Sequence, residues 1–445
     1  MHNVITHGNR SPATLARIAV IGMGYTGLGT SIALAKRGHT VTCVDTNPEK
    51  VTLLSKGRSP LFEPGFSGEI AALSRRHRLI ASIDTPAAVR DADIIFLSVG
   101  TPSQPDGSLD TTQLGPACLS VGEGLRGRRR QLVVVKSTVV PGTTESVVIP
   151  ALESKSSLHA GDFGVCVNPE FLREGHALED SLRPSHIVIG ERDRASGNAL
   201  LRIYAGFACP KVRTSVRIAE AVKYATNAFL ATKVTFANEL ANICTRLGLD
   251  VDEVLRGMSL DPRINPRHLV PGVGFGGSCF PKDLRALVSL SRGVGYEPFL
   301  LTTTLSVNER QHMEAVRLLE NELRPLSGKR VAILGLAFKG GTDDVRESKA
   351  LAVASELLLR GAHVVGYDPK AAANFTKAFR GVEIAATVED ALRGSDACII
   401  QAAWPEFSRL GPKQFALMQT PIVIDGRRTW TPRRVPKGIR YRRIG

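Results

Sequence analysis

Residues 17–45 combine an apolar strand, a glycine turn, a helix and a second strand, in an order that strongly constrains the fold. The run RIAVIGMGYTG leads from an apolar, β-branched segment into the turn, and SIALAKRGH follows with helical spacing. TVTCVD is then a second short strand that ends in Asp45. Short strands that alternate with helices indicate a parallel sheet with helices on both faces. Further apolar runs continue the alternation at 92–100, 131–140 and 163–168.

The glycine turn has the spacing of a dinucleotide-binding fingerprint. Gly22, Gly24 and Gly27 fit GxGxxG, in which the glycines permit a tight turn, the approach of a pyrophosphate and close helix–strand contact. The phosphate would lie at the helix N-terminus, where N–H groups and the helix dipole favour negative charge. Asp45 stands 23 residues after Gly22, where a carboxylate can bind a ribose and repel a 2′-phosphate. The pattern predicts NAD rather than NADP; the alternative is a glycine turn without a ligand.

The opening pattern recurs near the end of the chain. KRVAILGLAFKGGTDD, from Lys329, is again a strand that runs into a glycine-containing turn, and a later strand ends in Asp368. This second copy lacks the GxGxxG spacing, so we expect it to bind a nucleotide differently, if at all. Between the copies, 217–248 contains no proline and no internal glycine, which predicts one long helix ending at Gly248. The expected fold class is α/β, with two parallel-sheet domains joined by a long central helix and a helical middle domain.

Composition excludes several classes of protein. A chain of 445 residues with 43% hydrophobic residues and no membrane-length apolar run is expected to be globular. Its start lacks the apolar stretch of a secretory signal. Its seven cysteines are scattered and form no CxxC pair, so we expect neither a disulfide scaffold nor a metal site. Both features favour a reducing cytoplasm. The net charge of +15 favours polyanionic ligands. The basic runs Arg126–Arg130 and Arg427–Arg443 lack interleaved aromatics, so they indicate solvated surface rather than specific nucleic-acid binding.

Cys279 is the strongest candidate nucleophile. It precedes Pro281 in GGSCFPKD, and proline suits the first position of a helix. A thiol before a helix N-terminus with a lysine nearby is placed for thiolate stabilisation. Lys282 and Asp283 follow three and four residues later and can return to the same side of the helix. The alternative is a small buried hydrophobe, which is the interpretation given to Cys43, Cys166 and Cys398 in their apolar runs.

Two further pairs could take part in catalysis. Lys223 and Asn227 are four residues apart on the long helix, and a lysine and an amide on one face suit a developing oxyanion. Glu170 and Glu174, in NPEFLREG, could serve as bases or hold water. Each pair could instead be exposed surface.

Taken together, these segments resemble the UDP-glucose/GDP-mannose dehydrogenase family over residues 17–430. The resemblance rests on GMGYTG, STVVPGT, NPEFLREG, KYATNAFLATKVTFANE, GFGGSCFPKD, GLAFKGGTDDVRES, YDP and IDGRR, in the order that the family has them. It implies a double oxidation, in which the C6 alcohol of a nucleotide sugar becomes a carboxylate while two NAD are reduced. The implied catalytic roles are Cys279 as nucleophile, Lys223 and Asn227 as oxyanion stabilisers, Asp283 and Thr138 as residues that place a water, Glu170 as general base, and Lys282 at the thiolate.

The resemblance also implies binding residues and domains. The expected domains are a flexible tail (1–16), an NAD-binding Rossmann domain (17–213), a central helical dimerisation domain (214–325) and a UDP-binding Rossmann-like domain (326–445). Arg263 would reach the active site of a neighbouring subunit, so at least a homodimer is expected. The implied cofactor residues are Gly22, Gly24, Tyr25, Thr26, Gly27, Asp45, Lys50, Thr101, Thr138, Glu174 and Arg346. The implied substrate residues are Glu170, Phe171, Leu172, Arg173, Lys223, Asn227, Arg263, Phe275, Gly276, Lys339 and Arg428.

Several functions remain open on the sequence. The resemblance favours oxidation of UDP-glucose to UDP-glucuronate, while FKGGTDDVRES and DFGVCVNPEFLRE also resemble the enzymes that act on GDP-mannose. A single-step NAD dehydrogenase of hydroxy acids would share the glycine turn and the lysine–asparagine helix without needing a cysteine. A nucleotide-binding protein without catalysis is the third possibility.

Overall fold

The computed structural model describes residues 15–125 and 130–445. Within it the chain divides into two compact units, with the boundary between Ala225 and Thr226. Most of the predicted tail (1–16) and of the basic run Arg126–Arg130 lies outside the described residues. Of the helices in the described ranges, none has both the length and the hydropathy of a membrane-crossing segment.

The first unit is built on an eight-stranded sheet with strand order β3-β2-β1-β4-β5-β6-β7-β8. Neighbouring strands are parallel except β6 and β7, which are antiparallel. Successive residues of β1 enter separate apolar cores: Ile18 and Val20 pack on one face, and Ala19 and Ile21 on the other. Both faces are therefore buried, as a parallel sheet requires. The strands are β1 (Arg17–Ile21), β2 (Thr40–Val44), β3 (Leu79–Ser82), β4 (Ile94–Leu97), β5 (Leu132–Val135), β6 (Gly164–Val167), β7 (Ile187–Glu191) and β8 (Lys211–Ser215).

Helices cover both faces of this sheet. Several begin at side chains that accept hydrogen bonds from the first free N–H groups, such as Asn47 before α2 and Asp84 before α4. They are α1 (Tyr25–Lys36), α2 (Pro48–Ser55), α3 (Phe66–Arg75), α4 (Thr85–Arg90), α5 (Leu114–Leu125), α6 (Ile149–Ser156), α7 (Ala177–Leu182) and α8 (Arg194–Ile203).

Helix α9 (Val216–Leu247) belongs to both units. The sequence predicted this helix over 217–248, and the structure confirms it within a residue at each end. It ends where Gly248 adopts a φ of +71°, and the N–H of Leu249 returns to the carbonyl of Cys244 at 2.9 Å.

The second unit contains a six-stranded, fully parallel sheet with order β11-β10-β9-β12-β13-β14. Residues of β9 alternate between its two apolar cores, as in the first unit. The strands are β9 (Arg330–Leu334), β10 (His363–Tyr367), β11 (Glu383–Ile384), β12 (Ala397–Ile400), β13 (Ile422–Asp425) and β14 (Arg440–Arg443). The helices are α10 (Val251–Met258), α11 (Phe280–Gly293), α12 (Phe299–Arg310), α13 (His312–Glu322), α14 (Lys349–Leu359), α15 (Ala372–Ala378), α16 (Val388–Leu392) and α17 (Pro412–Phe415). The expected α/β class, with two domains built on wholly or mainly parallel sheets and with further helical segments, is confirmed.

Candidate active site

The glycine turn between β1 and α1 leaves open space only at its second glycine. A Cβ on Gly22, whose φ is +107°, would lie 2.3 Å from the Ser98 carbonyl oxygen, and a Cβ on Gly27 would lie 1.9 Å from the Gly22 oxygen. A Cβ on Gly24, the N-cap of α1, would meet nothing within 4 Å. The first and third glycines are thus required by packing. The second exposes the start of a helix, where a phosphate binds well.

Asp45 stands at the carboxyl end of β2 and faces this turn. Its Oδ2 accepts the Met23 N–H at 2.8 Å and pairs with Lys50 Nζ at 3.2 Å, while Oδ1 accepts the Asn47 N–H at 3.0 Å. An open helix N-terminus beside a carboxylate at the adjacent strand end fits the pyrophosphate and ribose of NAD. The residues present therefore suit this cofactor, and Lys50, another residue implied for cofactor binding, pairs with the acid.

The remaining predicted cofactor residues of the first unit lie near the strand ends. Thr101 Oγ1 donates to the carbonyl of Thr138 at 2.8 Å, which joins the segments that follow β4 and β5. Tyr25 and Thr26 are half-buried in the first turn of α1, and Glu174 is half-buried in the loop before α7.

Glu170 and Lys223 form a buried ion pair in the first unit. Lys223 Nζ lies 2.8 Å from Glu170 Oε1, and the Leu172 N–H donates to Oε2 at 2.5 Å. The two side chains are 8% and 4% exposed, so neither Glu170 nor Lys223 is the exposed surface that the sequence allowed as an alternative. Burial raises the pKa of Glu170, but Lys223, the Leu172 N–H and Lys136 offset this, and the net pKa lies below its ordinary value.

The loop after Glu170 surrounds this pair. The Phe171 ring centroid lies 5.6 Å from Lys223 Nζ and 4.2 Å from the His186 ring. Arg173 turns to a bidentate pair with Asp180, with Nη2–Oδ1 at 2.7 Å and Nε–Oδ2 at 2.9 Å. Its side chain is 56% exposed, so the sugar-pocket role predicted for Arg173 requires it to leave Asp180.

Asn227, Lys282 and Asp283 converge in the second unit. Asn227 Nδ2 donates to Asp283 Oδ2 at 2.6 Å, and Lys282 Nζ donates to Oδ1 at the same distance. The Asp283 carboxylate is 1% exposed and thus has a charged donor and an amide donor on its two oxygens. Asn227 lies one turn after Lys223 on α9, as the spacing predicted.

Cys279 is the N-cap of α11, and Pro281 occupies the first turn as predicted. The cysteine is half-buried, its carbonyl accepts the Asp283 N–H at 2.9 Å, and Ser278 Oγ lies 3.5 Å from its sulfur. The thiol therefore starts the helix turn that carries Lys282 and Asp283. Helix N–H groups and a nearby lysine favour a thiolate.

The glycines before Cys279 are held against the segment that follows β9. The N–H of Gly277 donates to the Arg346 carbonyl at 2.9 Å, and a Cβ on Gly276 would lie 2.1 Å from the Glu347 oxygen. The buried Phe275 is clamped by Asn308, which accepts its N–H at 2.7 Å and donates to its carbonyl at 3.0 Å. The Arg346 side chain is 62% exposed and paired with Asp344.

The two arginines of IDGRR have different surroundings. Arg428 pairs with Asp252, with Nη1 at 2.6 Å from both oxygens, and donates to the carbonyls of Ile444 and Gly445. Arg427 instead donates to the carbonyls of Gln401, Gly274 and Phe338, and burial lowers its pKa to about 10. The sequence selected Arg428 for substrate binding, but the structure commits that guanidinium to a carboxylate.

Lys339 and Arg263 are two further predicted substrate residues. Lys339 is half-buried, and its Nζ lies 5.5 Å from the Phe338 ring centroid. Arg263 lies in the loop after α10, paired with Asp261, and its side chain is 87% exposed.

In the second copy of the strand–turn pattern, the acid after the second strand, Asp368, is hydrogen-bonded to the turn itself. Asp368 follows β10 as Asp45 follows β2, but its Oδ2 accepts the N–H groups of Leu336 and Ala337 and the Trp404 indole N–H. Its Oδ1 accepts two further backbone N–H groups. Asp368 therefore accepts five hydrogen bonds from the protein itself. This agrees with the expectation that the second unit binds a nucleotide differently from the first, if at all.

Sequence reasoning missed Lys136, Asn168 and Tyr204, which lie behind the Glu170–Lys223 pair. Lys136 Nζ donates to Asn168 Oδ1 at 2.8 Å, and the Tyr204 hydroxyl donates to the same oxygen at 2.6 Å. The available signal was a lysine at the end of the apolar run VVVK, because an ammonium in such a place is costly unless it is paired.

Comparison with known proteins agrees with these features. Family models of the UDP-glucose/GDP-mannose dehydrogenase family match the NAD binding domain at 16–208, the central domain at 217–310 and the UDP binding domain at 332–432. The UDP-glucose 6-dehydrogenase of Haloferax volcanii is 43% identical over 431 residues, covering 95% of this chain and 99% of that protein. The GDP-mannose 6-dehydrogenase of Pseudomonas putida is 41% identical over 356 residues, covering 79% and 80%.

A solved structure extends the likeness to three dimensions. The UDP-glucose dehydrogenase from Pyrobaculum islandicum matches with a TM-score of 0.90 and 39% identity, and the match covers 98% of each chain. The resemblance first seen in the sequence motifs is thereby confirmed. The chain belongs to the UDP-glucose/GDP-mannose dehydrogenase family and is an NAD-dependent dehydrogenase of nucleotide sugars.

Proposed function

We propose that the chain oxidises the C6 alcohol of UDP-glucose to the carboxylate of UDP-glucuronate, with two NAD reduced per sugar. The relative that acts on UDP-glucose matches 95% of this chain, whereas the relative that acts on GDP-mannose matches 79%. The observation that carries the four-electron reaction is Cys279 at the start of α11, in the same turn as Lys282 and Asp283. A single-step dehydrogenase would have no use for this thiol.

NAD, held by the glycine turn and Asp45, supplies a hydride acceptor for each oxidation. In the first oxidation the C6 carbon loses a hydride and its hydroxyl loses a proton, which leaves an aldehyde. Lys223 and Asn227 donate hydrogen bonds to the C6 oxygen as negative charge develops on it. Glu170, ionised because its pKa is held below the ordinary value, accepts protons through water in the later steps.

The second oxidation uses the sulfur of Cys279. The thiolate attacks the aldehyde carbon, a C–S bond forms, and the resulting alkoxide takes up a proton to give a thiohemiacetal. Loss of that proton and of the second hydride gives a thioester. Lys282 stabilises the thiolate before attack, and its hydrogen bond to Asp283 at 2.6 Å fixes its Nζ in the first turn of α11.

Hydrolysis then releases the acid. Water attacks the thioester carbon, the C–S bond breaks, and the sulfur leaves as thiolate while the water loses two protons, one to Glu170 and one to the solvent. Asp283 and Thr138 place this water, and Glu170 accepts a proton from it. The Asp283 carboxylate suits such a role because Asn227 and Lys282 fix both of its oxygens.

The substrate would be held by residues from several segments. Phe171, Leu172, Arg173, Phe275 and Gly276 line the sugar pocket. Lys339 and Arg428 bind the sugar and the nucleotide, Arg428 after release from Asp252. Arg263 completes the site of a second subunit, which makes the working enzyme at least a dimer.

Tyr25, Thr26, Thr101, Glu174 and Arg346 complete the NAD site. The domain limits 17–213, 214–325 and 326–445 belong to the same proposal.

Stoichiometry tests the reaction and its substrate. The purified protein is incubated with NAD and, separately, UDP-glucose, GDP-mannose, UDP-galactose or UDP-N-acetylglucosamine, and NADH absorbance is followed to completion. Two NADH per UDP-glucose support the proposal. One NADH per sugar contradicts the four-electron reaction, and a response to GDP-mannose alone overturns the substrate while leaving the mechanism in place.

A cysteine variant tests the covalent steps. We expect Cys279→Ser to lower turnover on the order of a thousand-fold or more, because the nucleophile of a covalent mechanism is lost. Cys209→Ser is the matched control, since Cys209 is also half-buried but lies before β8 in the first unit. Equal activity of the two variants contradicts the role of Cys279.

A further inference from the structure

A buried cluster in the first unit holds two lysines and one glutamate. Lys136, Lys223 and Glu170 are 8%, 3% and 8% exposed. The mechanism above uses Glu170 and Lys223 but gives Lys136 no role. Two ammonium groups beside one carboxylate leave an excess positive charge in the protein interior, which is costly and needs a physical reason.

Lys136 is held in place by a network centred on Asn168. Lys136 directly follows β5, and its Nζ donates to Oδ1 of Asn168 at 2.8 Å and contacts the Asn168 carbonyl at 3.4 Å. The Tyr204 hydroxyl donates to the same Oδ1 at 2.6 Å, while Nδ2 of Asn168 donates to the Val188 carbonyl at 2.8 Å. Asn168 directly follows β6, two residues before Glu170. The network therefore fixes the lysine ammonium beside the segment that carries the glutamate.

Three elements bring groups to Glu170 or to the neighbouring Asn168. Lys223 on α9 contacts Glu170, Lys136 at the end of β5 acts on it through its charge, and Tyr204, which follows α8, contacts Asn168. Burial raises the pKa of Tyr204, so this hydroxyl stays neutral at neutral pH. Burial lowers the pKa of Lys136 to about 8, against the attraction of Glu170 and in the same sense as the repulsion from Lys223. Lys223 therefore pairs with Glu170 directly, while Lys136 attracts the same carboxylate from its place on Asn168.

We propose that Lys136 is a positioning residue whose buried ammonium keeps Glu170 ionised while Lys223 is engaged with the reacting oxygen. This inference rests on the proposed function of Glu170 as a base. When Lys223 turns its hydrogen bonds to the developing oxyanion, Glu170 loses part of its pairing. Lys136 retains a positive charge next to the carboxylate and never has to touch the substrate.

The pH dependence of turnover tests this role. Lys136→Met removes the charge, Lys136→Arg keeps it, and Tyr204→Phe removes a hydrogen bond from the same Asn168 oxygen without changing any charge. With UDP-glucose and NAD, Lys136→Met should move the acid limb of the kcat profile up by about one pH unit or more and lower kcat with little change in KM. Lys136→Arg should restore the limb, and Tyr204→Phe should leave it in place. An unmoved limb in Lys136→Met, or an equal movement in Tyr204→Phe, overturns the inference.

A second measurement does not depend on activity. Melting temperatures are compared for the unaltered protein, Lys136→Met, Glu170→Gln and the double variant. If the charges interact, the double variant loses less than the sum of the single losses. Because protonation of Glu170 removes the attraction, this difference should shrink as the pH falls below about 4. Additive losses at every pH overturn the inference. If no nucleotide sugar yields NADH, the proposed function fails, and this coupling still decides whether Lys136 sustains the charge of Glu170.

Discussion

Cys279 has the same thiol as the buried cysteines, but its surroundings in the fold are different. Burial raises the pKa of Cys43, Cys118 and Cys166 to about 12, and burial raises that of Cys398 as well. Cys279 is half-buried at a helix N-terminus. A thiol reacts as its thiolate, so ionisation and access together set the rate of alkylation.

We therefore expect iodoacetamide at neutral pH to label Cys279 before the other cysteines. The sites are identified by mass spectrometry of peptides taken at successive times. Cys209 is the internal comparison, because it is also half-buried while burial raises its pKa. Labelling of Cys209 at the rate of Cys279 or faster contradicts the expectation, and the variant Cys209→Ser checks that the Cys279 rate is independent of it.

The residue scale also shows what sequence could and could not predict. The relation of Cys279 to Asp283 follows from helical spacing, and the structure contains the expected backbone bond. The contact of Asn227 with Asp283 joins residues 56 positions apart, so it depends on packing between elements. Spacing also cannot decide which partners two adjacent arginines take, and only the structure shows Arg427 on three backbone carbonyls and Arg428 paired with Asp252.

At the scale of elements, the hydrophobic pattern located most interior strands but missed β7, and it located the edge strands poorly. Apolar runs located β1, β4 and β5, because both faces of these strands are buried. The edge strands β8 and β14 were missed. Their sequences, KVRTS and RYRR, are polar because one side of an edge strand faces solvent, and charged residues there discourage pairing with other chains.

Helix α9 also carries an apolar stripe that the chain itself leaves exposed. Phe229, Phe236 and Ile243 follow one another at seven-residue intervals and are 67%, 49% and 49% exposed, and Leu247 extends the stripe. Such a spacing keeps side chains on one face of a helix, where a second helix can cover them. The stripe agrees with the prediction of a homodimer formed through this helix.

We expect the protein to have the mass of a dimer or a larger assembly in light scattering after gel filtration. The double variant Phe229→Glu/Phe236→Glu should shift it toward the monomer, because burying two carboxylates against a second copy is unfavourable. A pair of changes at exposed apolar residues outside α9, Val294→Glu/Leu359→Glu, controls for added charge. A monomer before any substitution, or a double variant that keeps its mass, contradicts the prediction.

At the scale of the whole molecule, the strand–glycine turn–helix–strand pattern occurs twice, and the surroundings of the turn and of the following acid differ between the two copies. Both units contain a strand, a glycine turn, a helix and a second strand that is followed by an acid. In the first unit the second glycine faces open space, while in the second unit Asp368 takes five donors from the protein itself. The glycine spacing predicted that the two copies differ in nucleotide binding. The hydrogen bonds of Asp368 could not be predicted in the same way, because one of them comes from Trp404, which follows a different strand, β12.

The net charge of +15 belongs to the molecule as a whole, and it predicts how salt acts on its binding. A basic protein attracts any polyanion through long-range forces, and such binding is released steeply by salt because counterions are exchanged. We expect weak binding to a short mixed-sequence DNA duplex at about 50 mM salt, measured by fluorescence anisotropy, and its loss by about 200 mM. Heparin should compete with the DNA. Binding that survives the higher salt, or that distinguishes DNA sequences, would show a dedicated nucleic-acid site, because diffuse surface charge supplies neither property.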